Sequence, residues 1–175
     1  GALSMNRARL AAALIGPGAI GAAYLLAPEL AWVISAYIAL NLFYSVVLKH
    51  LPYLDVLAIA AGFLLRVWGG ALALGVPTSG WLLGCTALVA TYLGLGKRAH
   101  ELASLGERAY ETRAVLERYR LPHLKAAMLL TAVATSAAYA AYTLAPSTRT
   151  AFGTNHLVIT MPFVLFGLVR FYQLV

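Results

Sequence analysis

The stretch Leu54-Asp55-Val-Leu-Ala-Ile-Ala-Ala-Gly62-Phe-Leu-Leu-Arg66-Val-Trp-Gly-Gly-Ala-Leu-Ala-Leu-Gly75 decides the fold. It is long enough for a helix rising about 1.5 Å per residue to cross about 30 Å of hydrocarbon. It nevertheless carries one acid and one base. A charge at membrane depth costs on the order of 2.5–3.5 kcal/mol on insertion scales, so such groups are kept mainly where they pair or do chemistry. Asp55 and Arg66 are eleven residues apart, which at about 100° per residue returns both to one face of the helix. Gly62 lies on that stripe and Ala58 at its edge, leaving space between the two charges. Salt bridges to neighbouring helices explain this pair in one way. A polar cavity opening at the end near Asp55 explains it in another.

Outward from this span the chain repeats the pattern. Apolar segments cover 10–27, 30–48, 54–75, 81–96, 126–145 and 157–175, the fourth being short for a crossing. Charged residues make up 11% of the 175-residue chain, against about 25% in a soluble domain, and mean hydropathy is +0.80. The expected fold class is all-α: a single multi-span transmembrane helical bundle over 1–175, with about six spans. Of the 13 Lys and Arg, Arg7, Arg9, Lys49, Lys97, Arg98, Arg108, Arg113, Arg118, Arg120 and Lys125 fall on one side of that topology. The positive-inside rule makes that side cytoplasmic, with both termini there. The net charge of +7 then answers anionic lipid rather than nucleic acid.

The connection 97–125 interleaves Leu102, Leu105, Ala109, Val115, Leu116 and Tyr119 with Glu and Arg. This predicts one or two short amphipathic helices, broken near Gly106 and stopped before Pro122. They form a solvated surface with Glu107–Arg108 and Glu111–Arg113–Glu117 pairs, or a lid over a site in the membrane. The lone Cys85 lies inside the fourth span and is expected to be a buried structural thiol. Gly16-Pro-Gly18-Ala-Ile-Gly21 fits a dinucleotide fingerprint but follows no strand, so packing glycines and a proline kink are expected. Gly80 and Gly84 have the spacing for close helix approach. The opening Gly1-Ala-Leu-Ser-Met5 has neither an n-region nor a cleavage site and does not start with Met, which suggests a fragment, or a start at Met5.

Further polar groups gather at the membrane level of Asp55. Tyr44 and Lys49 end the second span. Lys97 and Glu101 are four residues apart and Arg98 and Glu101 three, so all share a helix face. Converging bases suit phosphate or diphosphate, and Asp55 and Glu101 are available for Mg²⁺. Snorkelling of anchoring side chains accounts for Lys97 and Arg98 but not for Asp55, Arg66 or Glu101.

Together, Tyr44-x-x-x-Leu-Lys49-His-x-Pro-x-Leu-Asp55-Val, Gly62-Phe-x-Leu-Arg66-x-x-Gly-Gly and Gly96-Lys97-Arg98-x-x-Glu101-Leu resemble the UbiA superfamily of intramembrane prenyltransferases. More narrowly, they are similar to its decaprenyl-phosphate phosphoribosyltransferase branch. The resemblance implies about nine helices around a lipid-open cavity in the bacterial cytoplasmic membrane, with Mg²⁺-dependent chemistry at the cytoplasmic end. It implies transfer of 5-phosphoribose from phosphoribosyl pyrophosphate to a polyprenyl phosphate with release of diphosphate, for cell-wall arabinan. By position, Tyr44, Asp55 and Glu101 would be catalytic, with Asp55 and Glu101 at the metal, and Lys49, Arg66, Lys97 and Arg98 would hold phosphates. The family's first motif, N-D-x-x-D-x-x-x-D, cannot be present, because Asp55 is the chain's single Asp. The chain by itself is therefore expected to be inactive. Alternatives are a UbiA-type enzyme with an aromatic acceptor, or an anion- or lipid-binding membrane protein or transporter. A homo-oligomer is compatible with all of them.

Overall fold

A computed structural model describes residues 4–105, 114–154 and 156–175. Its elements are α1 (Met5–Leu26), α2 (Pro28–Val46), α3 (Leu54–Ala73), α4 (Gly80–Leu105), α5 (Leu121–Leu144), the short α6 (Pro146–Phe152) and α7 (Met161–Leu174). Single 3₁₀ turns lie at Leu48–His50, Ala114–Arg118 and His156–Thr160. Proline opens α2, α5, α6 and α7 within their first two positions, where its missing N–H costs nothing and its fixed φ suits the helix. Pro122 thus starts α5, and the helical turn before it ends at Arg118, ahead of the proline as expected.

Consecutive helices pack as neighbours: α1 on α2, α2 on α3, α3 on α4, α4 on α5, and α5 on α7. Among the described residues, α1, α2, α3, α5 and the 156–174 segment are long and apolar enough to cross a membrane. The expectation was about six. The remaining helix, α4, has the length at 26 residues, or about 39 Å at 1.5 Å per residue. Thr86, Thr91, Tyr92 and four glycines dilute its apolarity, and it runs on through Lys97, Arg98 and Glu101. Large apolar side chains point outward all round, Leu25 at 87% and Trp32 at 78% exposure among them. Such a surface would be an aggregation hazard in water and is the ordinary lipid-facing surface of a membrane bundle.

The main core sits at the end of the bundle that carries the basic connections. Val56, Tyr92, Leu95, Ala99, Leu124, Met128 and Leu168 enclose Val115, Leu116 and Tyr119. In the described part of the 97–125 connection the apolar side is therefore packed into the core, while Glu117, Arg118 and Arg120 keep the polar side exposed. Residues 97–105 extend α4, and 115–119 plug the junction of α3, α4 and α5. The break near Gly106 and the Glu107–Arg108 and Glu111–Arg113 pairs lie outside the described residues.

Close helix approach occurs at glycines other than the expected ones. Nothing comes within 4 Å of a Cβ built on Gly16, Gly18, Gly21, Gly80 or Gly84. A Cβ on Gly94 would lie 2.8 Å from Val56 Cγ1, and one on Gly96 would collide with the Phe171 ring. The small residues that let α3 and α7 approach α4 sit within about one turn of Arg98. Cys85 is half-buried rather than buried.

Candidate functional site

The chain turns sharply before α3. After the Leu48–His50 turn, Tyr53 adopts a left-handed backbone with φ 65°, an uncommon conformation for a bulky residue. That turn presents Asp55 in the first turn of α3, where the helix dipole favours a carboxylate. Asp55 is fully buried. Its Oδ2 accepts from Arg98 Nε at 2.8 Å. Its Oδ1 accepts from Tyr119 Oη at 2.5 Å and from the Val56 N–H at 2.9 Å. Arg98, 1% exposed, also donates through Nη1 to Glu101 Oε2 at 2.5 Å, across one turn of α4. Tyr119 Oη in turn accepts from the Tyr53 N–H at 2.6 Å, and the two rings meet edge to face at 5.0 Å.

Burial, then the hydrogen bond to Asp55, pushes the Tyr119 phenol well above its ordinary pKa. Its proton stays in place, so Tyr119 acts as donor to the carboxylate and acceptor from the backbone at once.

A second polar cluster lies between α2 and α3. Arg66 donates through Nη2 to Tyr37 Oη and lies 5.0 Å over the Tyr37 ring and 5.2 Å over Phe63, within cation–π range. With Tyr44, Asn41 and Gly62 these residues line a cavity of about 100 Å³. Phe63 also belongs to an apolar groove of about 350 Å³ lined by Leu82, Cys85, Val89, Leu93 and Val164.

The sequence-predicted residues therefore divide. Asp55, Arg98 and Glu101 form one network, buried at Asp55 and Arg98 and partly exposed at Glu101. Tyr44 and Arg66 share the cavity between α2 and α3. Lys97 faces the other side of α4, where it and His100 line a cavity of about 410 Å³ with Phe171 and Leu174. Lys49 is half-buried in the turn, beside the Ala114–Arg118 turn at the same end of the bundle. Asp55 and Arg66 do not meet through one cavity; the carboxylate faces α4 and the guanidinium faces α2. Tyr119, Tyr37 and Asn41 were not anticipated. Tyr119 sits in Arg118-Tyr-Arg120, whose charges mask it, and the weak signal was its i,i+3 spacing from buried Leu116.

Among the described residues no three His, Cys, Asp or Glu side chains converge. The two expected carboxylates already hold the buried guanidinium of Arg98.

No family model matches the chain. Its curated relatives include the decaprenyl-phosphate phosphoribosyltransferase of Corynebacterium glutamicum, 34% identical over 111 residues, 63% of this chain and 33% of that protein. The Mycolicibacterium smegmatis protein of the same name is 32% identical over 128 residues, 73% of the chain and 40% of the relative. The one from Mycobacterium tuberculosis is 30% identical over 128 residues, covering 73% and 42%. The chain is a homologue of these UbiA-family phosphoribosyltransferases. It spans about a third to two-fifths of the length of the curated relatives it matches.

Proposed function

We propose that the complete protein moves 5-phosphoribose from phosphoribosyl pyrophosphate to a polyprenyl phosphate and releases diphosphate. The observation that carries this reading is the meeting of a polar cavity and an apolar groove at Phe63. A cation three turns down α3, opening beside an apolar groove, suits an amphiphile with an anionic head and an isoprenoid tail. The relatives' name, decaprenyl-phosphate phosphoribosyltransferase, supports a polyprenyl phosphate as that amphiphile and a phosphoribosyl compound as the donor.

In the proposed reaction a phosphate oxygen of the lipid attacks the anomeric carbon, forming a new C–O bond. The bond from that carbon to diphosphate breaks, and the leaving group takes the electron pair. Arg66, held over two aromatic rings with its guanidinium exposed, is the base best disposed to hold the lipid phosphate. Tyr44 lines the same cavity and would orient that phosphate. Lys49 and Lys97, both at the basic end, would draw in the donor and its diphosphate. Arg98 would contribute positive charge from a fixed position, its Nε and Nη1 being held by Asp55 and Glu101. Mg²⁺ is part of the proposal as a requirement of turnover, and Asp55 and Glu101 are not proposed as its ligands. The excess of basic residues on one side supports a cytoplasmic location for this chemistry. The groove lining is mostly apolar, Thr86, Thr135 and Tyr139 aside, which favours a transferase over an anion transporter.

Membranes containing the complete protein should convert labelled phosphoribosyl pyrophosphate and decaprenyl phosphate into an organic-extractable phosphoribosyl lipid. Chelation of divalent cations should abolish the product. Arg66→Ala should lower kcat/KM by about tenfold to a hundredfold, on the order of 1.4–2.7 kcal/mol of lost transition-state stabilisation. The 175-residue chain by itself should give no product. Absence of labelled lipid from the complete protein would sink the reading.

A further inference from the structure

We infer that Tyr119 is a positioning residue: its hydroxyl latches the 114–120 segment to Asp55 and so fixes the guanidinium of Arg98. The inference deepens the proposed transfer reaction, in which Arg98 supplies fixed positive charge.

Three observations meet at this hydroxyl. It donates to the same carboxylate that holds Arg98, on the opposite oxygen. It accepts the backbone N–H of Tyr53, the non-glycine residue held at positive φ immediately before α3. Its ring packs on Tyr53 while Val115 and Leu116 enter the core beside it. A backbone outlier of this kind costs of order 1–3 kcal/mol and persists where surrounding structure over-determines it. Tyr119 is that surrounding structure. Three separate parts of the chain, the turn before α3, the last turns of α4 and the connection before α5, are joined through one phenol.

The consequence concerns orientation. With Tyr119 in place, Asp55 Oδ1 is engaged and Oδ2 is left to Arg98 Nε, which sets the plane of the guanidinium. Without the hydroxyl, Oδ1 loses its tie to the 114–120 segment, although the Val56 N–H still reaches it, and the backbone at Tyr53 can relax, so the direction of Arg98 is less firmly set although its charge remains. Hydrogen bonds to charged groups contribute more than neutral ones. Removal of the hydroxyl should therefore be felt at Arg98 without loss of the fold.

The test replaces Tyr119 by Phe, which keeps the ring and its packing. Tyr92→Phe is the control, because Tyr92 is equally buried in the same core and its hydroxyl also donates a hydrogen bond, to the Leu168 carbonyl at 2.6 Å. In a Cys85→Ser background, a thiol at the buried position Val115→Cys reports opening of the segment by its reaction rate with a polar maleimide. Tyr119→Phe should raise that rate at least tenfold, and Tyr92→Phe less than threefold. An unchanged rate for Tyr119→Phe, or an equal rise in both, overturns the latch. In the complete protein, Tyr119→Phe should raise the KM for phosphoribosyl pyrophosphate at least fivefold with kcat within twofold, and Tyr92→Phe should leave KM unmoved. Faster labelling with an unmoved KM reduces Tyr119 to a structural clamp and overturns the positioning role. If the wild type transfers nothing, the proposed reaction fails, and the labelling arm decides the Tyr119 contact without it.

Discussion

Arg98 is a base withdrawn from solvent and held by Asp55 and Glu101. Burying an ion pair gains little by itself, because desolvation offsets the attraction. Removing one partner is a different matter, since the other is left buried and charged. Arg98→Leu should therefore destabilise the protein by about 3–5 kcal/mol, read as a lowered unfolding midpoint in detergent. Lys97→Leu, one residue away but exposed, should change stability by less than about 0.5 kcal/mol. The difference was not legible in the sequence. Spacing put Lys97 and Arg98 in one motif beside Glu101. Which of them turned inward depended on where α3 lay against α4, and that contact joins residues 43 positions apart.

At the scale of elements, α4 organises the bundle, packing on α3 on one side and on α5 on the other. Its glycines look alike in sequence and behave differently in place. Gly94 faces Val56 at a distance that no Cβ tolerates, whereas Gly84 faces open space. Gly94→Ala should push α3 away from α4 and cost about 1–3 kcal/mol. Gly84→Ala should be neutral or stabilising by up to about 1 kcal/mol, from helix propensity. Detergent unfolding of the two single variants measures both. The same contrast explains why the expected Gly80/Gly84 contact is absent. Small-residue spacing permits close approach, but a partner helix must cross at that height, and α3 crosses α4 three turns further on.

For the whole molecule, the alternation of basic and bare connections predicts which ends share a side. In a Cys85→Ser background, Ser147→Cys lies in α6 and Ser104→Cys at the end of α4, both exposed. A membrane-impermeant maleimide should label position 147 in intact cells lacking an outer barrier, and position 104 only after permeabilisation. Labelling of position 104 in intact cells, with position 147 reached only after permeabilisation, would invert the topology and move the proposed site to the other face.

By itself the sequence determined the class of molecule, the succession of its long helices and the end of the bundle where basic and acidic side chains gather. Apolar length and charge placement act locally, through the cost of desolvating each segment, and need no knowledge of neighbours. Asp55, Arg66, Arg98 and Glu101 were all recognisable because a charge in such a segment has to be explained. Tertiary structure decided the partners. It divided those charges between two clusters and committed Asp55 and Glu101 to Arg98. It also drew Tyr119, from a stretch that looks solvated, into the middle of the network. Partner choice depends on helix crossing and on the backbone at Tyr53, and these follow from packing summed over many residues rather than from any one segment.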